Sequence, residues 1–300
     1  MGSNGVLAFY GSQSPMTALG EASALVDPLP NRVADLAHVI QGLGIYDVVV
    51  RDFYGFAPPE NRLGEIHLRS IADRLARIIE LDDRPLPIAR DPARRVLQRC
   101  NSFALMLVAM LRAKGAPARS RCGFAAYFNA PNFEDHWVCE YWDPRTRRWR
   151  LADPQLDDVW RARLDIRFDT IDLPQGQFLT AAEAWRQCRS GQADPQAFGI
   201  SFAGLRGLWF VAGSLVRDMA ALNKMEMLPW DVWGAQPAPD DTFEVAFFDD
   251  LAALTGDPDN SFAESRRRYE EDHRLRAPST VFNALNRRPE TINRPTHSGR

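Results

Sequence analysis

Apolar residues recur with helical spacing through the first part of the chain. From Leu63 to Leu81, the positions Ile66, Ile71, Leu75, Ile78 and Ile79 fall near one face, and Asp82-Asp83-Arg84-Pro85 ends the run. An earlier helical pattern is expected to begin near Asn31, a suitable N-cap after Asp27-Pro28-Leu29-Pro30. Between Asn101 and Lys114, Phe103, Leu107, Met110 and Leu111 share a face, and Gly115 with Pro117 supplies the stop. The period then changes to that of strands over Arg119–Phe128, His136–Trp142 and Arg148–Asp153, the last two joined by the turn chemistry of Asp143-Pro144-Arg145-Thr146. Residues 178–189 and 201–224 predict further helices, and Pro237 and Pro239 break the pattern after Trp233-Gly234. Beyond them the chain turns polar, with dense charge over Ser261–Arg276 and an expected poorly ordered tail over Arg287–Arg300.

Composition narrows the class. The chain has 300 residues, 45% hydrophobic and 25% charged, enough for a sizeable core and a buried site. A net charge of -3 from nearly balanced acids and bases argues against a nucleic-acid surface built on global basicity. The longest strongly apolar stretch, Gly207–Val216, is about half the roughly 20 residues a membrane-spanning helix needs and reads as a buried helix segment. No basic region precedes an apolar run at the start, so no secretory signal is read and a cytoplasmic location is expected. Met1-Gly2 lacks the Ser or Thr that N-myristoylation requires at position 6, where Val6 stands. The four cysteines, Cys100, Cys122, Cys139 and Cys188, form no Cys-x-x-Cys pair and are expected as reduced thiols with no zinc site. No acidic loop has calcium spacing, and no cofactor or metal is expected.

Cys100 stands apart from the other thiols because it immediately precedes the helix of Asn101–Lys114. Unpaired N–H groups and the positive end of the helix dipole there favour an anion. The Cys100 N–H is the natural backbone donor to a developing oxyanion. Cys122, Cys139 and Cys188 read as buried inert thiols, and His38, His67, His273 and His297 as surface or packing residues.

His136 and Asp153 lie on consecutive strands of the proposed hairpin. A two-residue loop places them directly opposite, and a four-residue loop makes them diagonal neighbours on one face. A three-residue loop would send them to opposite faces. An Asp beside a His fixes the imidazole tautomer, frees the other ring nitrogen to take a thiol proton, and stabilises the resulting imidazolium. Two further sets carry alternatives. Phe133, Trp137, Trp142, Trp230 and Trp233 either wall a cleft or fill the core, and Arg119 and Arg121 either bind an acidic substrate group or form structural ion pairs.

Four blocks, Cys100-Asn101-Ser102-Phe103-Ala104, Leu111 through Arg119, Asp135-His136-Trp137-Val138-Cys139-Glu140 and Trp149-Arg150-Leu151-Ala152-Asp153-Pro154, resemble the successive blocks of the transglutaminase-like (papain-like) cysteine enzyme superfamily. The resemblance implies Cys100 as nucleophile, His136 as general base and Asp153 as orienter. Asn101-Ser102 stands where many bacterial relatives carry an Arg-Asp or similar pair. Asp172-Leu173-Pro174, Glu183-Ala184-Trp185 and Leu228-Pro229-Trp230-Asp231 are similar to flanks in a bacterial group of such proteins.

The expected fold is α+β, a nucleophile-bearing helix packed on a small antiparallel sheet with helical additions on either side. Residues 1–90 are expected as an N-terminal helical flank, 91–160 as the catalytic core, 161–256 as a helical C-terminal addition and 257–300 as a polar tail. The expected function is cysteine-dependent acyl transfer on amide or thioester carbonyls, through a Cys100 thioester resolved by water or an amine. Its partners would be a peptide, protein or small amide or thioester, with neither nucleic acid nor membrane. The alternatives are amide-bond formation from carrier-protein thioesters and a non-catalytic binding module on the same fold.

Overall fold

The computed structural model describes residues 3–292. The first part is helical: α1 (Ser3–Gly11), α2 (Ser23–Val26), α3 (Val33–Leu43), α4 (Val50–Tyr54) and α5 (Ile71–Leu81), with one short strand, β1 (Gly44–Tyr46), after α3. The central part runs β2 (Val96–Gln98), α6 (Cys100–Ala113), β3 (Ala118–Asn129), β4 (Asn132–Asp143) and β5 (Arg148–Ala152). The remainder is α7 (Asp158–Arg163), β6 (Phe178–Thr180), α8 (Ala181–Ser190), β7 (Phe198–Ile200), β8 (Leu205–Arg206), α9 (Leu208–Leu222), β9 (Asp231–Val232), α10 (Val245–Gly256), α11 (Phe262–Glu271), β10 (Thr280–Asn283) and β11 (Arg288–Thr291).

The main sheet has the order β6-β3-β4-β7-β8, with β5 also paired to β4. Two strands therefore share one side of β4: β7 pairs with Phe133 and Glu134, and β5 with residues from Cys139 to Asp143. Residues 135–138 between them pair only with β3 among the described residues. Helices α6 and α9 pack on this sheet. They are buried almost throughout, from Cys100 to Arg112 and from Phe210 to Leu222, which accounts for apolar residues around their whole circumference.

The observed α+β fold, a helix on an antiparallel-rich sheet, is the expected class. Several boundaries differ for local reasons. Helices α1 and α2 precede the expected start near Asn31, and α1 is anchored by buried Val6 and by Tyr10, whose hydroxyl donates to the Leu222 carbonyl at 3.0 Å. The 63–81 pattern divides into a 3-10 segment, Glu60–His67, and α5, because Ser70 caps α5 by accepting from the Asp73 N–H at 3.0 Å. Thr180 and Glu183 form a capping box that starts α8 at Ala181, releasing Phe178–Thr180 to pair with β3.

Residues 257–292 are not the polar tail expected from their charge. Helix α11 buries Phe262, Ser265 and Tyr269, the β10–β11 hairpin pairs with β9, and Leu275, Ala277, Val281 and Ile292 join the main core. Residues 293–300, with His297, and the Met1-Gly2 pair lie outside the described residues. Among the described residues no helix is long and apolar enough to cross a membrane.

Candidate active site

The backbone leaves β2 extended and enters α6 with Arg99 as N-cap and Cys100 as the first helical residue, one position earlier than the periodicity predicts. The Arg99 carbonyl accepts from the N–H groups of Ser102, at 2.9 Å, and Phe103, at 3.3 Å. The N–H groups of Cys100 and Asn101 find no partner among the described residues, the ordinary state of a helix start. Arg99 itself is fixed from outside, forming a bidentate ion pair with Asp47 and lying between the rings of Tyr46 and Trp230.

Asp143 closes the β4–β5 turn by accepting from the Arg145 N–H and the Thr146 hydroxyl, both at 2.9 Å. The pairs from Cys139–Ala152 to Asp143–Arg148 leave a four-residue loop, with Arg147 at φ 51. His136 and Asp153 are therefore diagonal neighbours on one face, the second of the even-loop cases. Asp153 sits one residue beyond β5, on the side of β4 left open between β5 and β7, and its Oδ2 is 2.8 Å from His136 Nε2. His136 and Asp153 are 1% and 0% exposed, and Cys100 5%.

The Asp153 carboxylate is surrounded by donors. Oδ2 accepts from the Tyr127 hydroxyl at 2.6 Å as well as from His136, and Oδ1 accepts from the Gln155 N–H at 3.0 Å. The Asp153 backbone is held by donation to the Thr170 carbonyl at 2.8 Å. With Nε2 tied to Asp153, Nδ1 is the nitrogen left for the Cys100 thiol, which acts on the ring electrostatically. Burial works against a charged ring here, but Asp153 outweighs it and Cys100 adds to the same effect. His136 is pushed up from 6.5 to about 10. Burial pushes the Cys122 and Cys139 thiols up, and Cys188 to about 11.

Tyr127, Phe128 and Tyr46 escaped the sequence reading. The ring of Phe128 lies 4.9 Å and that of Tyr127 5.9 Å from the imidazole. Consecutive residues of a regular strand face opposite ways. Both reach His136 because the β3–β4 register shifts between Ala125 and Asn129. On β3, Gly123 lies opposite His136, and a Cβ there would come within 2.1 Å of the Leu179 carbonyl oxygen.

The aromatic set named from sequence does not wall the site as a group. Trp137 packs in a cluster with Cys100, but Phe133 stacks on Phe198, Trp142 meets Trp149, Trp233 lies in the main core and Trp230 contacts Arg99 and His67. Rings from other segments surround His136: Tyr127, Phe128 and Phe178, with Trp160 against Phe128. Arg119 and Arg121 are buried in structural ion pairs, Arg119 with Glu140 and Asp259, and Arg121 with Asp218 and Glu140.

Comparison with protein families matches residues 63–154 to the Transglutaminase-like superfamily, a span that contains Cys100, His136 and Asp153 and begins inside the helical flank. Comparison with curated proteins and with solved structures finds no match.

Proposed function

Because residues 63–154 are a transglutaminase-like superfamily domain, we propose that this protein is a cysteine acyl-transfer enzyme in which Cys100, His136 and Asp153 act as nucleophile, base and orienter. Superfamily membership supports cysteine-protease or transamidase-type activity in general. The observation that carries the finer reading is the buried His136–Asp153 bond of 2.8 Å through Nε2, which reserves Nδ1 for the thiol.

The Cys100 proton passes to Nδ1, and the sulfur attacks the carbonyl carbon of an amide or thioester. The π electron pair moves to oxygen, where the Cys100 N–H can donate. Collapse returns that pair, breaks the bond to the leaving amine or thiol, and His136 delivers the proton to it. The Cys100 thioester then meets water or an amine, which gives its proton to Nδ1 as it attacks. Asp153 keeps the ring oriented through both halves and stabilises its charge whenever it holds the second proton.

The test is mass spectrometry of wild-type protein and Cys100→Ala after exposure to glutamine peptides, a carrier-bound acyl thioester and p-nitrophenyl acetate. An acyl adduct on Cys100 is expected in the wild type, and the donor that forms it identifies the substrate class. Absence of an adduct from every donor, with iodoacetamide reacting at Cys100 no faster than with free cysteine near pH 6, refutes the reading in favour of a non-catalytic module.

A further inference from the structure

Strand β1 runs parallel to β2, the strand that delivers Cys100, and Tyr46 is paired with Gln98, two residues before it. The Tyr46 ring packs against the cluster of Cys100, Ala104, Cys122, Trp137 and Ala221. It meets Trp160 edge to face at 5.7 Å. Trp160 meets Phe128 at 5.5 Å, and Phe128 meets His136 at 4.9 Å. These contacts link the Cys100 cluster to the imidazole through successive rings, with Tyr46 the first of them. The Tyr46 hydroxyl has no hydrogen-bond partner among the described residues.

Building on the acyl-transfer reading, we infer that Tyr46 is a catalytic residue, its hydroxyl donating a hydrogen bond to the oxyanion formed when Cys100 attacks. An oxyanion in a dry site is held best by more than one preorganised donor, and the start of α6 supplies the Cys100 N–H as the first. Burial raises the phenol well above its ordinary range, and after burial Cys100 acts on it most strongly. Arg99 pulls in the opposite direction, while Asp47 and Asp135 reinforce the rise. The hydroxyl therefore keeps its proton at neutral pH. As the sulfur–carbon bond forms, the carbonyl π pair becomes an oxygen lone pair that accepts from the hydroxyl. No proton is transferred, and the bond relaxes when the pair returns.

The discriminating experiment compares two reactions of the same thiol. Acylation by p-nitrophenyl acetate passes through an oxyanion, whereas displacement of iodide from iodoacetamide does not. Tyr46→Phe is expected to slow the acylation step about 10²-fold at saturating ester, leaving the half-saturating ester concentration and the iodoacetamide rate within about threefold of wild type. Acylation within threefold of wild type overturns the inference. A parallel loss in both reactions also overturns it, because Tyr46 would then act on the sulfur itself. If Tyr46→Phe does not fold, 3,5-difluorotyrosine placed at position 46 reads the same point: acylation must follow the acidity of the ring while alkylation does not, and an unchanged acylation rate is equally fatal. A wild-type protein that never acylates at Cys100 refutes the acyl-transfer reading instead, so the two failures are distinct.

Discussion

Replacing Asp153 by Asn changes one atom of a carboxylate that accepts from Tyr127, His136 and the Gln155 N–H, and the structure dictates the outcome. With the amide oxygen toward His136 and Tyr127, the amide nitrogen faces the Gln155 N–H, donor against donor. With the amide reversed, its N–H points at His136 Nε2, which must accept. The ring proton then moves to Nδ1, the nitrogen the thiol needs free. Either way the charge that favours imidazolium is gone. Raising a ring from 6.5 to about 10 corresponds to about 5 kcal/mol of preference for the charged form, and Asp153 is the largest contributor to the rise. Losing most of that preference predicts acylation of Cys100 slower by about 10³- to 10⁴-fold. Iodoacetamide alkylation at pH 6 should fall about 10²-fold, toward the rate of an ordinary thiol. Stopped-flow p-nitrophenolate release measures the first quantity, mass-spectrometric alkylation kinetics the second, and NMR titration of the His136 ring gives its pKa. An Asp153→Asn protein that acylates and alkylates within threefold of wild type, with His136 still titrating near 10, would refute the triad reasoning.

Tyr127→Phe removes a donor from the oxygen that holds His136 and concentrates negative charge on the imidazole contact. The NMR titration of His136 should move upward, and chemical denaturation should show a loss of about 2 kcal/mol for the missing bond to a buried carboxylate. Because the His136 pKa is raised on folding, its stabilisation is fully present below about 6.5 and lost as pH rises through about 10. Denaturation of wild type should therefore lose about 3 kcal/mol more than His136→Gln between pH 7 and 9.5, and parallel losses would contradict the linkage. Gly123→Ala drives a methyl into the Leu179 carbonyl and the Phe178 ring, predicting about 2 kcal/mol of destabilisation and a displaced His136 resonance, checked by thermal unfolding and NMR.

The place of Cys100 at a helix start was legible because its signal is local: a thiol at the boundary where helical periodicity starts. The approach of His136 to Asp153 was legible because hairpin parity is a discrete choice, and only even loops bring the two together. Tyr127 and Phe128 carry no such signal. Their approach to His136 depends on a register shift in β3, which alternation cannot reveal. Tyr46 reaches the site through a parallel pairing between segments separated by several helices, a contact with no local pattern at all. The C-terminal strands and α11 were hidden for a different reason. Their few apolar residues, Tyr269, Leu275, Val281 and Ile292, are scattered among charges, and burial follows from docking against an existing core instead of from a face of their own.

The shared side of β4 also limits how far this molecule can be divided. A fragment ending at Pro154, where the family match stops, would contain all three candidate catalytic side chains yet lose β6 from one edge of the β3–β4 pair and β7 from the other. Bare strand edges of that kind recruit other chains, so such a fragment should aggregate. The smallest autonomous unit must include residues through Ile200, and proteolytic trimming would find no stable intermediate that ends at the β4–β5 hairpin.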